Sequence, residues 1–384
     1  NAGASWEHLN NDFGLVVRPF YFSRIVIDPK NPDVVLKGGL NGSISRDGGK
    51  TFKDLGNMHS DIHDFAFHIN DSDVIYSGTD GGVYRSWNGG STFEIVENLP
   101  LSQFYHISVD NQEPYNVYGG LQDNGSWYGP SSSPGGVNAR DWNSVGYGDG
   151  FRVLKHPTKN IVYSEMQGAE NVWRYDIDRN RTKTIQPLPK KGDPELRFNW
   201  NAPMAVSQHQ PDRFYMASQF LHVSEDMGDN WKIISPDLTT NDKSKQLSSG
   251  GPITKDNTGV EYYATIFAVN ESKQEEGLLW TGSDDGLVHV SKDGGKTWTN
   301  VTPKKMPEWM MINCIEIDPF TKGGAYVVGT KYKSGDYLPY IYKTENYGKT
   351  WRQITNGIGA EDFTRALRAD PKRKGLLYAG TERG

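Results

Sequence analysis

The residues best suited to chemistry in this chain are carboxylates set beside aromatic rings. Asp64, Asp123, Asp149 and Asp285 lie in short polar segments that also carry His63, Asp80, Gln122, Asn124, Arg197, Trp200 and Trp309. Acids next to flat apolar rings suit sugar binding. A pair of them could hydrolyse a glycosidic bond if their carboxyls stood about 5–5.5 Å apart for retention or roughly 6.5–9.5 Å apart for inversion. Clustered carboxylates repel and desolvate one another, so at least one is expected to have a raised pKa or to be neutralised by a cation or by an arginine such as Arg197.

Other patterns in the chain look like sites and read better as turns. His59, Asp61, His63 and Asp64 offer imidazole and carboxylate ligands, but the first three share a side only if the segment is extended, and turn capping is the commoner use. Asp176, Asp178 and Asn180 begin like a calcium loop, yet Arg181 and Pro187 stand where glycine and glutamate are required, so a hairpin turn is expected. The single cysteine, Cys314, excludes an internal disulfide and a cysteine-based zinc site. Lying in the apolar run MMINCIEI, it reads as a buried, inert thiol. No metal and no cofactor are expected.

The elements that must position these residues are legible as a repeat. An eight-residue phrase recurs as SRDGGKTF (45–52), SWNGGSTF (86–93), SEDMGDNW (224–231), SKDGGKTW (291–298) and TENYGKTW (344–351), with a headless copy, NAGASW, at 1–6. Its third position, held by Asp47, Asn88, Asp226, Asp293 and Asn346, accepts Asn as well as Asp. It therefore needs an acceptor for turn amides rather than a charge, and a structural role follows. The glycine supplies positive φ, and the closing aromatic packs under the turn. The phrases sit in segments of β-branched and aromatic residues with period-2 alternation, such as DVIYSGTDGGVYRSWNGGSTF, and no long helical pattern competes.

Four strands per frame of about 45 residues predict an all-β chain, a β-propeller of four-stranded blades. The 138 residues between Ser86 and Ser224 hold three frames of 46, two of which have kept strands and lost the phrase. Seven complete blades are expected, starting near Phe20, Ile62, Phe104, Gly150, Asn199, Gly259 and Met310, plus an incomplete eighth frame split between the chain ends. As domains, this reads as a single propeller over 1–384, with 1–19 the last strand of a preceding blade and a linker, 20–357 the seven blades, and 358–384 the first half of another. Either the ends meet in an eighth blade lacking one strand, or the chain is a piece of a longer multi-propeller protein. The break inside a repeat at both ends favours the second.

Composition limits the partners. The 384 residues carry a formal charge of −6, with 41 basic residues scattered rather than gathered into a stripe, so nucleic acid is not an expected partner. No run of eighteen apolar residues is present, so no helical membrane span is expected.

The phrase resembles the Asp-box, or BNR repeat, of sialidases, of xyloglucan-cleaving glycoside hydrolases and of the sortilin/Vps10 luminal domain. A closer resemblance, carried by SQFYHISVDNQEPYNVYGGLQDNGSW, SGGPITKDNTGVEYYATIFA, LLWTGSDDGLVHVSKDGGKTWTNVTP and DPKRKGLLYAGTERG, is to large bacterial BNR-repeat or Vps10-domain proteins labelled glycosyl hydrolase. That resemblance implies export to the cell surface, periplasm or medium, and a further propeller in the same longer chain. Sialidase activity is not expected, because the nearest string to the sialidase arginine strand, Phe22-Ser23-Arg24-Ile25-Val26, lacks its proline and spacing. The xyloglucan-cleaving enzymes place opposing carboxylates across a cleft between two propellers, and one propeller would leave that set incomplete. Sortilin's disulfide-rich module has no counterpart in a chain with one cysteine.

Propeller ligands bind mainly on the loops from strand two to strand three and between blades. That face would carry the candidates named above, with acidic groups in excess. The expected function is capture of a glycan, peptide or protein by this face. Glycoside hydrolysis by a carboxylate pair, in a channel or an inter-propeller cleft, is the alternative.

Overall fold

Alternation of buried and exposed residues over short β-branched segments makes strands, and their glycine- and aspartate-rich connections fold them back antiparallel. A computed structural model describes residues 3–18, 24–99, 101–252, 255 and 262–384. Among them are seven four-stranded antiparallel sheets, spanning 25–54, 62–95, 106–146, 150–184, 204–233, 266–300 and 311–353. A two-stranded sheet spans 364–381. In each sheet the strands neighbour one another in chain order, the meander of a propeller blade, and the chain is an all-β propeller fold. The expected starts at Phe20 and Gly259 lie outside the described residues, as do Phe22 and Ser23 of the sialidase-like string.

Two compact units divide the chain, Asn1–Gln103 with the first two sheets and Phe104–Gly384 with the other six. In the second unit, successive sheets pack through their first strands: His106–Val109 against Gly150–Lys155, Ile266–Glu271 against Met311–Ile317, and Met311–Ile317 against Thr364–Ala369. The core between the sixth and seventh sheets is aromatic and aliphatic, built on fully buried Trp280 with Met310, Ile312 and Val327. The last sheet ends on Leu377–Thr381, whose one partner strand among the described residues is Thr364–Ala369. Residues 3–10 form no strand.

The repeated phrase is a closed hydrogen-bond circuit. Ser45 Oγ donates to Asp47 Oδ1 (2.8 Å) and accepts from Gly49 N (2.8 Å), while Asp47 accepts from Thr51 N (2.9 Å) and Thr51 Oγ1 (2.6 Å). Ser224 with Asp226 and Ser291 with Asp293 repeat the circuit. At Asn88 and Asn346 the polarity of one bond reverses, with Nδ2 donating to Thr92 or Thr350 Oγ1. In the second unit the closing tryptophan staples its sheet to the preceding one. The indole N–H groups of Trp231, Trp298 and Trp351 donate to the carbonyls of Ile185, Ile234 and Val301.

The circuit lowers the Asp293 carboxyl to about 2, chiefly through the Thr297 hydroxyl. A folded pKa below the unfolded value of about 3.9 contributes stability above that pH and loses it as pH falls towards 2. Asp293→Asn is therefore expected to keep its melting temperature at pH 7 and to show a flatter acid limb. Asp293→Ala should melt lower at pH 7. Thermal melts at pH 3 and pH 7 check this, and equal melting of Asn and Ala variants at pH 7 would contradict the circuit's role.

Candidate functional site

The second unit holds a cavity of about 1040 Å³, formed by connections between and within its last four full sheets and by Tyr105. The segment before the fifth sheet brings Arg197, Asn199 and Trp200. The connection from the fifth to the sixth sheet brings Asp237, Lys243 and Lys245. Asp284 comes from a strand-two-to-three turn, Trp309 from the connection into the seventh sheet, and Lys331, Tyr332 and Lys333 from that sheet's own turn.

Each aromatic platform is held from behind. Trp200 Nε1 donates to Asp149 Oδ2 (3.0 Å), and Asp149 Oδ1 accepts from Asp123 N (2.8 Å). Trp309 stacks with Tyr263 at a centroid separation of 6.2 Å and an interplanar angle of 30°. Tyr332 stacks on Phe363 at 4.8 Å and 12°. Trp309, Ala264 and Asn241 adopt positive φ of 61°, 63° and 52°, a conformation costly for residues with side chains and concentrated in proteins at ligand sites. The turn carrying Asp284 fits beneath Trp309 because Gly286, at φ 96°, lacks a Cβ that would meet the Trp309 and Met310 amide nitrogens at 3.2 Å.

Asp284 is the unusual acid. It accepts from Thr265 N (2.9 Å), Thr265 Oγ1 (2.7 Å) and Asn199 Nδ2 (3.2 Å). Burial nonetheless outweighs these bonds and pushes its carboxyl up to about 7, with the neighbouring Asp285 adding to the rise. A raised folded pKa means that the folded state holds a proton the unfolded chain has lost, so stability falls between about pH 4 and about pH 7. Asp284→Asn should remove that decline. Unfolding in urea at pH 5 and pH 8 measures it, and an unchanged pH slope in the variant would contradict the assignment.

The structure places the candidate residues in different roles. Arg197, Trp200 and Trp309 line the cavity. Arg197 is paired with Asp237 at 2.9 Å, an acid outside the candidate set. Asp149 and Asp123 stand behind Trp200. Gln122 accepts from the Tyr105 hydroxyl (2.5 Å), and Asn124 caps its own turn through the Gln122 carbonyl. Asp285 is not part of the cavity lining, its Oδ2 accepting from the Thr240 amide and hydroxyl at 2.8 and 2.7 Å, and its neighbour Asp284 lines the cavity instead. His63, Asp64 and Asp80 belong to the first unit, where His63 Nε2 meets Asp80 Oδ1 at 2.6 Å and Asp64 accepts from Phe65 N. Asp61 there has φ 60°, which breaks the extended run that a shared side for 59, 61 and 63 required.

Two expectations need correction. The cavity carries five cations, Arg197, Lys243, Lys245, Lys331 and Lys333, against three acids, Glu195, Asp237 and Asp284, so the expected acidic excess is reversed. Cys314 is half-buried rather than buried, with Arg368 Nη1 donating to Sγ at 3.2 Å. Two of the missed lysines, Lys331 and Lys333, stand at the strand-two-to-three turn of the seventh sheet, KYKSGD, the same turn position that drew attention to Asp80, Asp123 and Asp285 in other sheets.

No family model matches the chain. It is 26% identical over 213 residues to the oligoxyloglucan-reducing end-specific xyloglucanase of Emericella nidulans, covering 53% of this chain and 23% of that protein. It is 33% identical over 109 residues to the vacuolar protein sorting/targeting protein 10 of Laccaria bicolor, covering 28% of this chain and 7% of the relative. The chain thus spans less than a quarter of the length of these curated relatives. Among solved structures, an ancestral GH74 enzyme aligns over 92% of this chain and 34% of its own, with 14% identity and a TM-score of 0.31.

Proposed function

We propose that this chain is a carbohydrate-binding β-propeller of an exported protein, seating an oligosaccharide in the cavity of its second unit. The observation that carries this reading is the set of braced aromatic faces, Trp200, the Tyr263–Trp309 stack and Tyr332, around a space large enough for several sugar rings. Sugars present apolar C–H faces that lie on such rings, while their hydroxyls bond to polar groups such as the Asn199 amide beside them. Partial likeness to a xyloglucanase supports a glycan as the ligand class. The repeated phrase supports membership among Asp-box proteins, and a second propeller in the same longer chain accords with the length of the relatives. Calorimetric titration with a panel of neutral and acidic oligosaccharides tests the reading. Saturable binding by at least one of them, competed by the same sugar, is expected, and no binding by any would overturn it.

A second reading rests on Asp284. A carboxyl held protonated near neutral pH at the wall of a glycan cavity has the property required of a general acid. If the chain cleaves glycans, Asp284→Asn should abolish release of reducing ends while leaving oligosaccharide affinity within about threefold of wild type. Undiminished cleavage by the variant would remove Asp284 from that role.

A further inference from the structure

The charge of the cavity contrasts with that of the chain. Over the whole sequence acids outnumber bases and the net charge is −6, yet four lysines and an arginine converge on the cavity with only three acids. One of those acids is spent internally, since Asp237 is paired with Arg197. Asp284 is largely uncharged below pH 7 because burial holds its proton. None of the four lysines takes part in an ion pair among the described residues. The Lys243 ammonium donates to Gln246 Oε1 (3.1 Å), and that of Lys245 lies 5.3 Å from the centre of the Trp309 ring.

The lysines also fall at two stations. Lys243 and Lys245 are the first and last residues of one turn of 3-10 helix, with Lys245 beside Trp309, and Lys331 and Lys333 flank Tyr332. Each station therefore sets two lysines of the lining next to a flat ring in sequence or space, the Lys245 ammonium lying over Trp309. Among the described residues, four ammonium groups face only Glu195 as an ionised, unpaired acid of the lining, with Asp242 beside Lys245 outside it, and like charges in excess repel one another, an arrangement that a bound anion relieves.

Resting on the glycan reading above, we infer that the cavity selects acidic oligosaccharides, chains whose sugars carry carboxylates as uronic acids do, over neutral ones. The rings take the pyranose faces, and the lysines take carboxylates projecting from the sugar edges. Neutral oligosaccharides of the same length use the rings alone and bind more weakly. Partly exposed ion pairs are screened by salt, so the preference should shrink as ionic strength rises.

The test titrates the chain with short oligogalacturonides and, separately, with neutral xyloglucan oligosaccharides, at low and at 0.5 M salt. The expected result is at least about tenfold tighter binding of the oligogalacturonide at low salt, most of it lost at high salt, with neutral binding insensitive to salt. The charge-reversed pair Lys331→Glu with Lys333→Glu should lose that preference, read as the ratio of the two affinities in the same variant, with an unchanged melting temperature as the check on folding. Lys372→Glu, in the exposed turn between the two strands of the last sheet, should leave both affinities alone. Equal affinity for the two sugars overturns the inference and leaves the glycan reading standing. Binding of neither sugar, with salt-sensitive binding of a poly-glutamate peptide instead, overturns both.

Discussion

Trp309→Ala is expected to weaken oligosaccharide binding by about thirtyfold or more, the loss typical when a central aromatic anchor is truncated. The ring is half-exposed, stacks on Tyr263 and stands at the Lys245 station, so its removal takes away both the sugar platform and the partner that orients a cation. Trp309→Phe should retain part of the affinity because a smaller flat face remains. Trp309→Gly separates recognition from folding. At φ 61° glycine relieves backbone strain, so this variant should melt no lower than the alanine variant while binding as poorly. Titration calorimetry alongside thermal melts decides it, and near-wild-type affinity in the alanine variant would remove Trp309 from the site.

The largest effect on stability is expected at Arg152. Its guanidinium lies in the interior and donates to the Asn201 side chain, to the carbonyls of Asn201 and Ala202 at 3.3 Å, and to the Phe267 carbonyl at 3.3 Å. One side chain thus ties the fourth, fifth and sixth sheets together directly behind Trp200. The fully buried Glu165 accepts from the Arg152 amide, and burial pushes its carboxyl well above the usual range while the Arg152 charge opposes that rise. Arg152→Ala strands several buried acceptors at once and should cost about 3 kcal/mol or more. Arg152→Lys keeps the charge and loses the planar fork, so it should recover only a minor part. Denaturant unfolding measures both, and a loss below about 1 kcal/mol for the alanine variant would show that water or backbone adjustment replaces the fork.

The sheets could be read from the sequence because each carries its instructions locally. Period-2 alternation in segments such as DVIYSGTDGGVYRS and the acceptor-x-Gly phrase mark strands and turns without reference to distant residues. Even the two sheets lacking the phrase, 106–146 and 150–184, show their strands by β-branched and aromatic content. The cavity was less legible. Trp200, Trp309 and Arg197 were visible as aromatic and charged residues in connections. Choosing between Asp284 and Asp285 needs the rotation of one turn, and that rotation is set by Gly286 packing under Trp309, a contact between different sheets. The roles of Asp149 and Asp123 as braces likewise depend on which side of Trp200 the next blade presents. The cationic character was missed because its lysines come from connections 88 residues apart, Lys243 to Lys331, and meet only in the folded unit.

Central to this account is a sugar seated in the cavity of the second unit, and a crystal structure of the protein soaked with an oligosaccharide that binds in solution tests it most directly. The account expects a pyranose ring lying flat on Trp309, with the chain continuing past Asn199 and Asp284 towards Tyr332. A sugar bound elsewhere on the molecule, with this cavity holding only solvent, would contradict it.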